Sequence, residues 1–115
     1  MDHTSDTPLA EKRCIPCEGG AEALLPNEAE QLRSKIDQEW MLIDDAHILA
    51  RQFTFKDFKD ALAFVNKVGA IAEAEQHHPD ITLGWGNVGI ELSTHALSGL
   101  SENDFILAAK IDEIK

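Results

Sequence analysis

Ile81-Thr82-Leu83-Gly84-Trp85-Gly86-Asn87-Val88-Gly89-Ile90-Glu91-Leu92-Ser93 is the stretch that decides the fold. Val88, Ile90 and Leu92 alternate with Gly89, Glu91 and Ser93, the pattern of a strand with one face buried against a core. Gly86-Asn87 suits a two-residue primed turn, so the segment reads as a hairpin of Ile81–Trp85 with Val88–Ser93. That turn would pair Trp85 with Val88, Asp80 with Ser93 and His78 with His95. A lone hairpin is marginal in water, so its apolar face requires more strands and a covering layer.

The covering layer is legible on the N-terminal side. From about Lys56 to Gln76 a stripe of Phe58, Ala61, Leu62, Val65, Val68, Ala72 and Glu75 recurs at helical spacing, apolar until its last member. Gly69 is unfavourable in the middle of a helix and suggests close packing against the sheet. Pro79 disfavours helical geometry at His78, so the helix ends near His77. Before it, Trp40–Ile43 and His47–Phe55 read as strands joined by the turn Asp44-Asp45-Ala46, with Leu49, Phe53 and Phe55 on one face and Arg51 between them. A first helix spans about Glu28–Gln38, with Asn27 as N-cap, Glu30 in a capping-box position and Leu32 and Ile36 on its apolar face. A last helix begins after Ser101, with Asp104 completing a second capping box, and presents Leu107, Ala108, Ile111 and Ile114. The order α-β-β-α-β-β-α makes an α+β fold: an antiparallel four-stranded sheet with three helices packed on one face.

Residues 1–25 show no sustained periodicity and read as a flexible or loosely docked leader, leaving 26–115 as a single domain. The leader carries Cys14-Ile15-Pro16-Cys17, the chain's two cysteines. One Cys-x-x-Cys is half a zinc site, and a redox role would want a strand–helix context that is absent here. Reduced, solvent-exposed thiols are the simplest reading. Met1–Ala10 lacks the apolar run of a secretory signal, so the expected compartment is cytoplasmic. At 115 residues, with 43% hydrophobic residues, the chain can build one core without disulfides. Its net charge of −11 disfavours direct contact with nucleic acid or an anionic membrane surface. No apolar stretch approaches a membrane span. Gly84, Gly86 and Gly89 lack the Lys and the following helix of a phosphate-binding loop.

Three of the five histidines converge by chain connectivity. The second hairpin returns His95 to the His77-His78-Pro79 corner at the end of the long helix. Imidazoles that titrate near neutrality can exchange protons at working pH, which points to general acid–base chemistry. Two other readings stay open from the residues alone. The histidines could cap the helix end, where imidazolium favours the dipole, or they could hold a metal. Two adjacent histidines do not readily point at one ion from a regular element. His3 lies in the leader and His47 at a hairpin corner, and neither supports a functional claim. Glu73, one helical turn before His77, reaches toward the same corner or is a solvated carboxylate. Asp104 orients a histidine or caps the last helix. Trp85 walls a pocket or packs beside its turn.

Glu73, His77-His78-Pro79, Trp85, His95 and Asp104, in this order and spacing, resemble the signature of the pterin-4a-carbinolamine dehydratases. Phe55-Lys56-Asp57-Phe58-Lys59, Leu92-Ser93-Thr94-His95 and Gly99-Leu100-Ser101 extend the resemblance, which runs more loosely over about 26–115. A leader with Cys-x-x-Cys is similar to those of bacterial members. The resemblance implies elimination of water from a 4a-hydroxytetrahydropterin to give quinonoid dihydropterin, without metal or other cofactor. It implies His77 and His95 as the proton-transfer pair, with His78 positioning substrate and sharing that role. Glu73, Pro79, Trp85, Ser93 and Thr94 would contact or frame the pterin, and Asp104 would support the site. It further implies a homodimer or homotetramer, consistent with the open edges of a four-stranded sheet, and a functional link to an aromatic amino-acid hydroxylase. Some relatives bind transcription regulators, the alternative reading for this scaffold.

Overall fold

The computed structural model describes residues 8–15 and 22–114. Among them, α1 (Pro26–Arg33), β1 (Met41–Ile43), β2 (Ile48–Thr54), α2 (Phe58–Glu75), β3 (Asp80–Leu83), β4 (Asn87–Leu92) and α3 (Glu102–Ile114) follow one another in the expected order. The strands form one antiparallel sheet in the order β1-β2-β4-β3. Strand periodicity sends Leu42, Leu49, Phe53, Ile81, Val88, Ile90 and Leu92 to one face. There they pack with Ala29 of α1, Phe64 and Val68 of α2, and Phe105, Leu107 and Ile111 of α3. The opposite face carries Met41, Gln52, Thr82 and Glu91. No helix among the described residues is long and apolar enough to cross a membrane.

The second hairpin keeps its place but changes register. Leu83 pairs with Val88 and Asp80 with Glu91, and the Gly84 N–H donates to the Asn87 carbonyl at 2.8 Å. The chain therefore reverses around Trp85-Gly86, not Gly86-Asn87, and His78 is not paired with His95. A contact beyond the hairpin fixes this. The Phe55 N–H donates to the Gly86 carbonyl at 2.8 Å, and a Cβ at residue 86 would lie 2.9 Å from the Phe55 oxygen. Only glycine allows that approach to the end of β2.

Two helices begin and end differently from their expected bounds. α1 starts at Pro26, whose fixed φ suits the first helical position, and the Glu28 carboxylate accepts the Leu25 N–H at 2.8 Å. It stops at Arg33, so Ile36 is buried from the turn that follows and not from a helical face. α2 is capped by Asp57, whose carboxylate accepts the Asp60 N–H at 2.8 Å. Its buried stripe is Ala61, Phe64, Val68 and Ala72. Phe64 lies 4.7 Å from the Phe53 ring and 5.1 Å from Phe55, whereas Phe58 and Leu62 face outward.

Gly69 does not mark close packing, because a Cβ there meets nothing within 4 Å. Gly69→Ala is expected to stabilise the protein by about 0.5–1 kcal/mol through helix propensity and lower unfolded-state entropy. Thermal unfolding would read this as a rise of a few degrees in Tm; a fall would mean that something occupies this helix face in solution.

Arg51 lies on the core side of β2, where its guanidinium donates to Asp112 of α3 at 2.8 Å and covers the Phe53 ring at 4.3 Å. The Trp40 indole N–H donates to the same carboxylate at 2.7 Å, fastening α3 over β1 and β2. Burial raises the Asp112 pKa above its ordinary value, and the hydrogen bonds from Trp40 and Asp37 and the Arg51 charge oppose the rise.

The described part of the leader is docked. Leu9–Glu11 form a short 3-10 turn, and Leu9 joins the core. Lys110 of α3 donates to the Ala10 carbonyl at 2.8 Å, and Lys12 pairs with Glu102 at 2.8 Å. The Cys14 half of the Cys-x-x-Cys lies within this docked segment, and Cys17 lies outside the described residues.

Candidate functional site

Helix α2 ends through Gln76, which adopts the left-handed conformation at φ 55°. The His77 N–H then donates back to the Ala72 carbonyl at 3.2 Å, the six-to-one bond of a Schellman ending. This turn swings the chain across the end of the sheet before Pro79 and β3. It aims His77 at the N-terminal turn of α3, where its Nε2 lies 2.6 Å from Asp104 Oδ1. The neighbouring His78 points elsewhere, with Nε2 2.5 Å from Glu73 Oε1, and both of those side chains are largely exposed.

Asp104 is fully buried, which requires its carboxylate to be satisfied. Oδ2 accepts the Thr94 hydroxyl at 2.8 Å and the Ser101 N–H at 3.0 Å, while Oδ1 meets His77. One carboxylate thus both caps the start of α3 and contacts the His77 ring. Thr94 Oγ1 is also 2.8 Å from Ser101 Oγ. The loop after β4 is closed by the Thr94 N–H donating to the Gly99 carbonyl at 2.7 Å. It carries His95 on a short 3-10 turn, His95–Leu97, with the imidazole exposed.

These elements enclose a cleft of about 690 Å³. Its walls include His77, His78 and Pro79 from the α2–β3 corner and Ser93, Thr94 and His95 from the end of β4. The convergence of three imidazoles needs no His78–His95 pairing, because β4 must return beside β3 in either register. Glu73 reaches the site through His78 and does not line the cleft. Trp85 is not a cleft residue: it is 68% exposed at the hairpin turn, five positions beyond Asp80 and so roughly 15 Å away along the strand. Among the described residues, no group of three or more His, Cys, Asp or Glu side chains is placed to hold a metal ion.

Of the cleft residues that have no part in the sequence-based site, four bring the leader to it. Cys14 and Ile15 line it from the leader, and Glu75 and Asn103 line it from α2 and α3. Glu75 left a trace in the sequence, as the one charged member of an otherwise apolar helical stripe. Its Oε1 accepts the Cys14 N–H at 2.8 Å, and Oε2 lies 3.8 Å from Lys110 Nζ. Asn103 has no such trace, since its partner is 88 positions away in the chain.

Burial pushes the Cys14 thiol up to about 12, and the negative charges of Glu75 and Asp104 add to the shift. Such a thiol holds about a thousandfold less thiolate at pH 8 than a free cysteine. Alkylation of Cys14 by iodoacetamide, read by peptide mass spectrometry, should be slower in proportion. Its rate should keep climbing above pH 9, where a free thiol levels off. Reaction at the rate of a free thiol would show that the segment leaves its seat.

The family model described as pterin 4 alpha carbinolamine dehydratase matches residues 22–114. A protein of Alkaliphilus metalliredigens (strain QYMF), provisionally named a pterin-4-alpha-carbinolamine dehydratase, is 50% identical over 105 residues, covering 91% of this chain and 94% of its own. A crystal structure described as a transcriptional coactivator/pterin dehydratase from Brucella melitensis superposes with a TM-score of 0.75 at 30% identity, over 81% of this chain and 98% of that one. A pterin dehydratase-like protein described as a RuBisCO assembly factor in the alpha-carboxysome superposes with a TM-score of 0.58 at 26% identity, over 66% and 88%. The fold, the ordered run from Glu73 to Asp104 and these matches agree: the chain belongs to the pterin-4a-carbinolamine dehydratase family.

Proposed function

We propose that this protein dehydrates 4a-hydroxytetrahydropterin to quinonoid dihydropterin by proton transfer through histidines at the cleft. The observation that carries the proposal is the pairing of His77 with the buried Asp104 at a cleft that His95 also lines. In the reaction the C4a–O bond breaks and the N5 lone pair forms the C4a–N5 double bond. One imidazole protonates the departing hydroxyl, which leaves as water, and a second takes the N5 proton. With His77 Nε2 engaged by Asp104, its Nδ1 is the nitrogen that exchanges a proton with substrate. His95 has no carboxylate to hold it among the contacts described, and it supplies the second imidazole. His78, steadied by Glu73, positions the substrate, with Pro79 and Ser93 framing the ring. Thr94 acts through Asp104, and Trp85 plays no part within a single chain.

The reaction would recycle a tetrahydropterin after aromatic amino-acid hydroxylation in the cytoplasm, making a hydroxylase the functional partner. The exposed edges at β1 and β3, with Met41, Phe58 and Leu62 outside the core, favour a homodimer or homotetramer. A second reading follows from the description of the Brucella melitensis structure as a coactivator as well as a dehydratase: this scaffold would bind a transcription regulator, with the histidines dispensable.

A hydroxylase-coupled assay tests the first reading. With a tetrahydropterin-dependent hydroxylase generating carbinolamine continuously, added protein should raise the rate of quinonoid dihydropterin formation in proportion to its concentration. A folded protein that leaves this rate unchanged would overturn the reading and favour regulator binding.

A further inference from the structure

We propose that Ile15 is a substrate-binding residue of this cleft and that Asn103 is the positioning residue that holds it there. The inference rests on the dehydratase reading for the identity of the ligand. The leader backbone at this point is gripped on both sides. Asn103 Oδ1 accepts the Ile15 N–H at 3.0 Å, and Asn103 Nδ2 donates to the Ile15 carbonyl at 2.5 Å. Glu75 accepts the preceding N–H, of Cys14, at 2.8 Å. Asn103 is 5% exposed, so its amide is withdrawn from water and directed at both backbone polar groups of one residue, Ile15.

The side chain of that gripped residue is left bare. Ile15 is 70% exposed yet lines the cleft with the three histidines. An aliphatic group fixed at its backbone and left 70% exposed is a surface for an apolar ligand face to cover. A pterin presents flat ring faces and a polar edge. Ile15 takes a ring face while the imidazoles meet the C4a–N5 edge. Because Leu9, Lys12 and Lys110 anchor the same segment, this wall is built before substrate arrives and its ordering need not be repeated on binding.

Ile15→Ser should raise KM for dehydration and Kd for 7,8-dihydrobiopterin by about five- to tenfold, the loss expected when most of one aliphatic contact is removed. kcat should stay within about twofold of wild type, because no proton-transfer group changes. Ile15→Val should restore both constants, and neither variant should lower Tm by more than a degree or two, since the side chain is largely exposed in the free protein. Asn103→Ala should raise KM in the same direction and speed amide exchange at Cys14 and Ile15. Wild-type KM and Kd in Ile15→Ser would overturn the inference while leaving dehydration intact. If the wild type does not dehydrate the carbinolamine, the functional reading fails separately. The inference about Ile15 is then decided by the binding titration, in which absent or equal binding of 7,8-dihydrobiopterin by both proteins overturns it.

Discussion

Replacing His77 by alanine is expected to lower kcat for carbinolamine dehydration by about 10²–10⁴-fold, and replacing His95 to have an effect of the same order, the range for loss of a general acid or base. The two variants should differ in stability. His95 is exposed on its 3-10 turn, so His95→Ala leaves Tm essentially unchanged. His77→Ala leaves Asp104 buried with only Thr94 and Ser101 as partners, which costs about 1–3 kcal/mol. His78→Ala should act mainly on KM, because that imidazole is held by the exposed Glu73 and the proposed mechanism gives it the positioning of substrate. Rate and binding constants from the three variants separate these roles. Near-wild-type kcat in both His77→Ala and His95→Ala would remove the proposed mechanism.

Asp104→Asn should lower kcat by up to about 10⁴-fold with little change in KM, the scale reached when the carboxylate that fixes a catalytic histidine's tautomer becomes an amide. The amide oxygen can still accept the Ser101 N–H and keep the start of α3 in place. Its NH₂ group then faces His77 Nε2, which can pair with it only as an acceptor. That moves the imidazole proton to Nδ1, the nitrogen assigned to exchange a proton with substrate, so the ring is present in the wrong tautomer. Nitrogen chemical shifts of the His77 ring would report this change directly, and a purely structural role for Asp104 would not move them. Asp104→Ala should also destabilise the fold, by about 2–3 kcal/mol, because the cap and the partners of buried Thr94 and His77 go together. An active Asp104→Asn with an unchanged His77 tautomer would show that the carboxylate only caps the helix.

The order of elements was legible because two local patterns are strong: the helical run through Val68 and Ala72, and the alternation of Val88, Ile90 and Leu92. The meeting of His77, His78 and His95 followed from connectivity, since antiparallel β4 must bring the residues after Leu92 back beside the start of β3. The register did not follow, because it depends on the Phe55 peptide meeting Gly86, a contact between distant segments. The start of α1 was misplaced because Asn27 is a good cap in isolation, whereas Pro26 at the first helical position and Glu28 reaching back to Leu25 decide it. Gly69 carried a packing expectation that the open space around it does not support. Least legible was the docked leader. A Cys-Ile pair without periodicity becomes a wall of the cleft only through Asn103 and Glu75, far along the chain.

The most direct test of the central claim is a stopped-flow record of the ultraviolet decay of 4a-hydroxytetrahydropterin, with wild-type protein beside His77→Ala and His95→Ala. The expected result is a decay that wild type shortens in proportion to its concentration and that either variant returns close to the uncatalysed rate. Equal decay with all three folded proteins would contradict it.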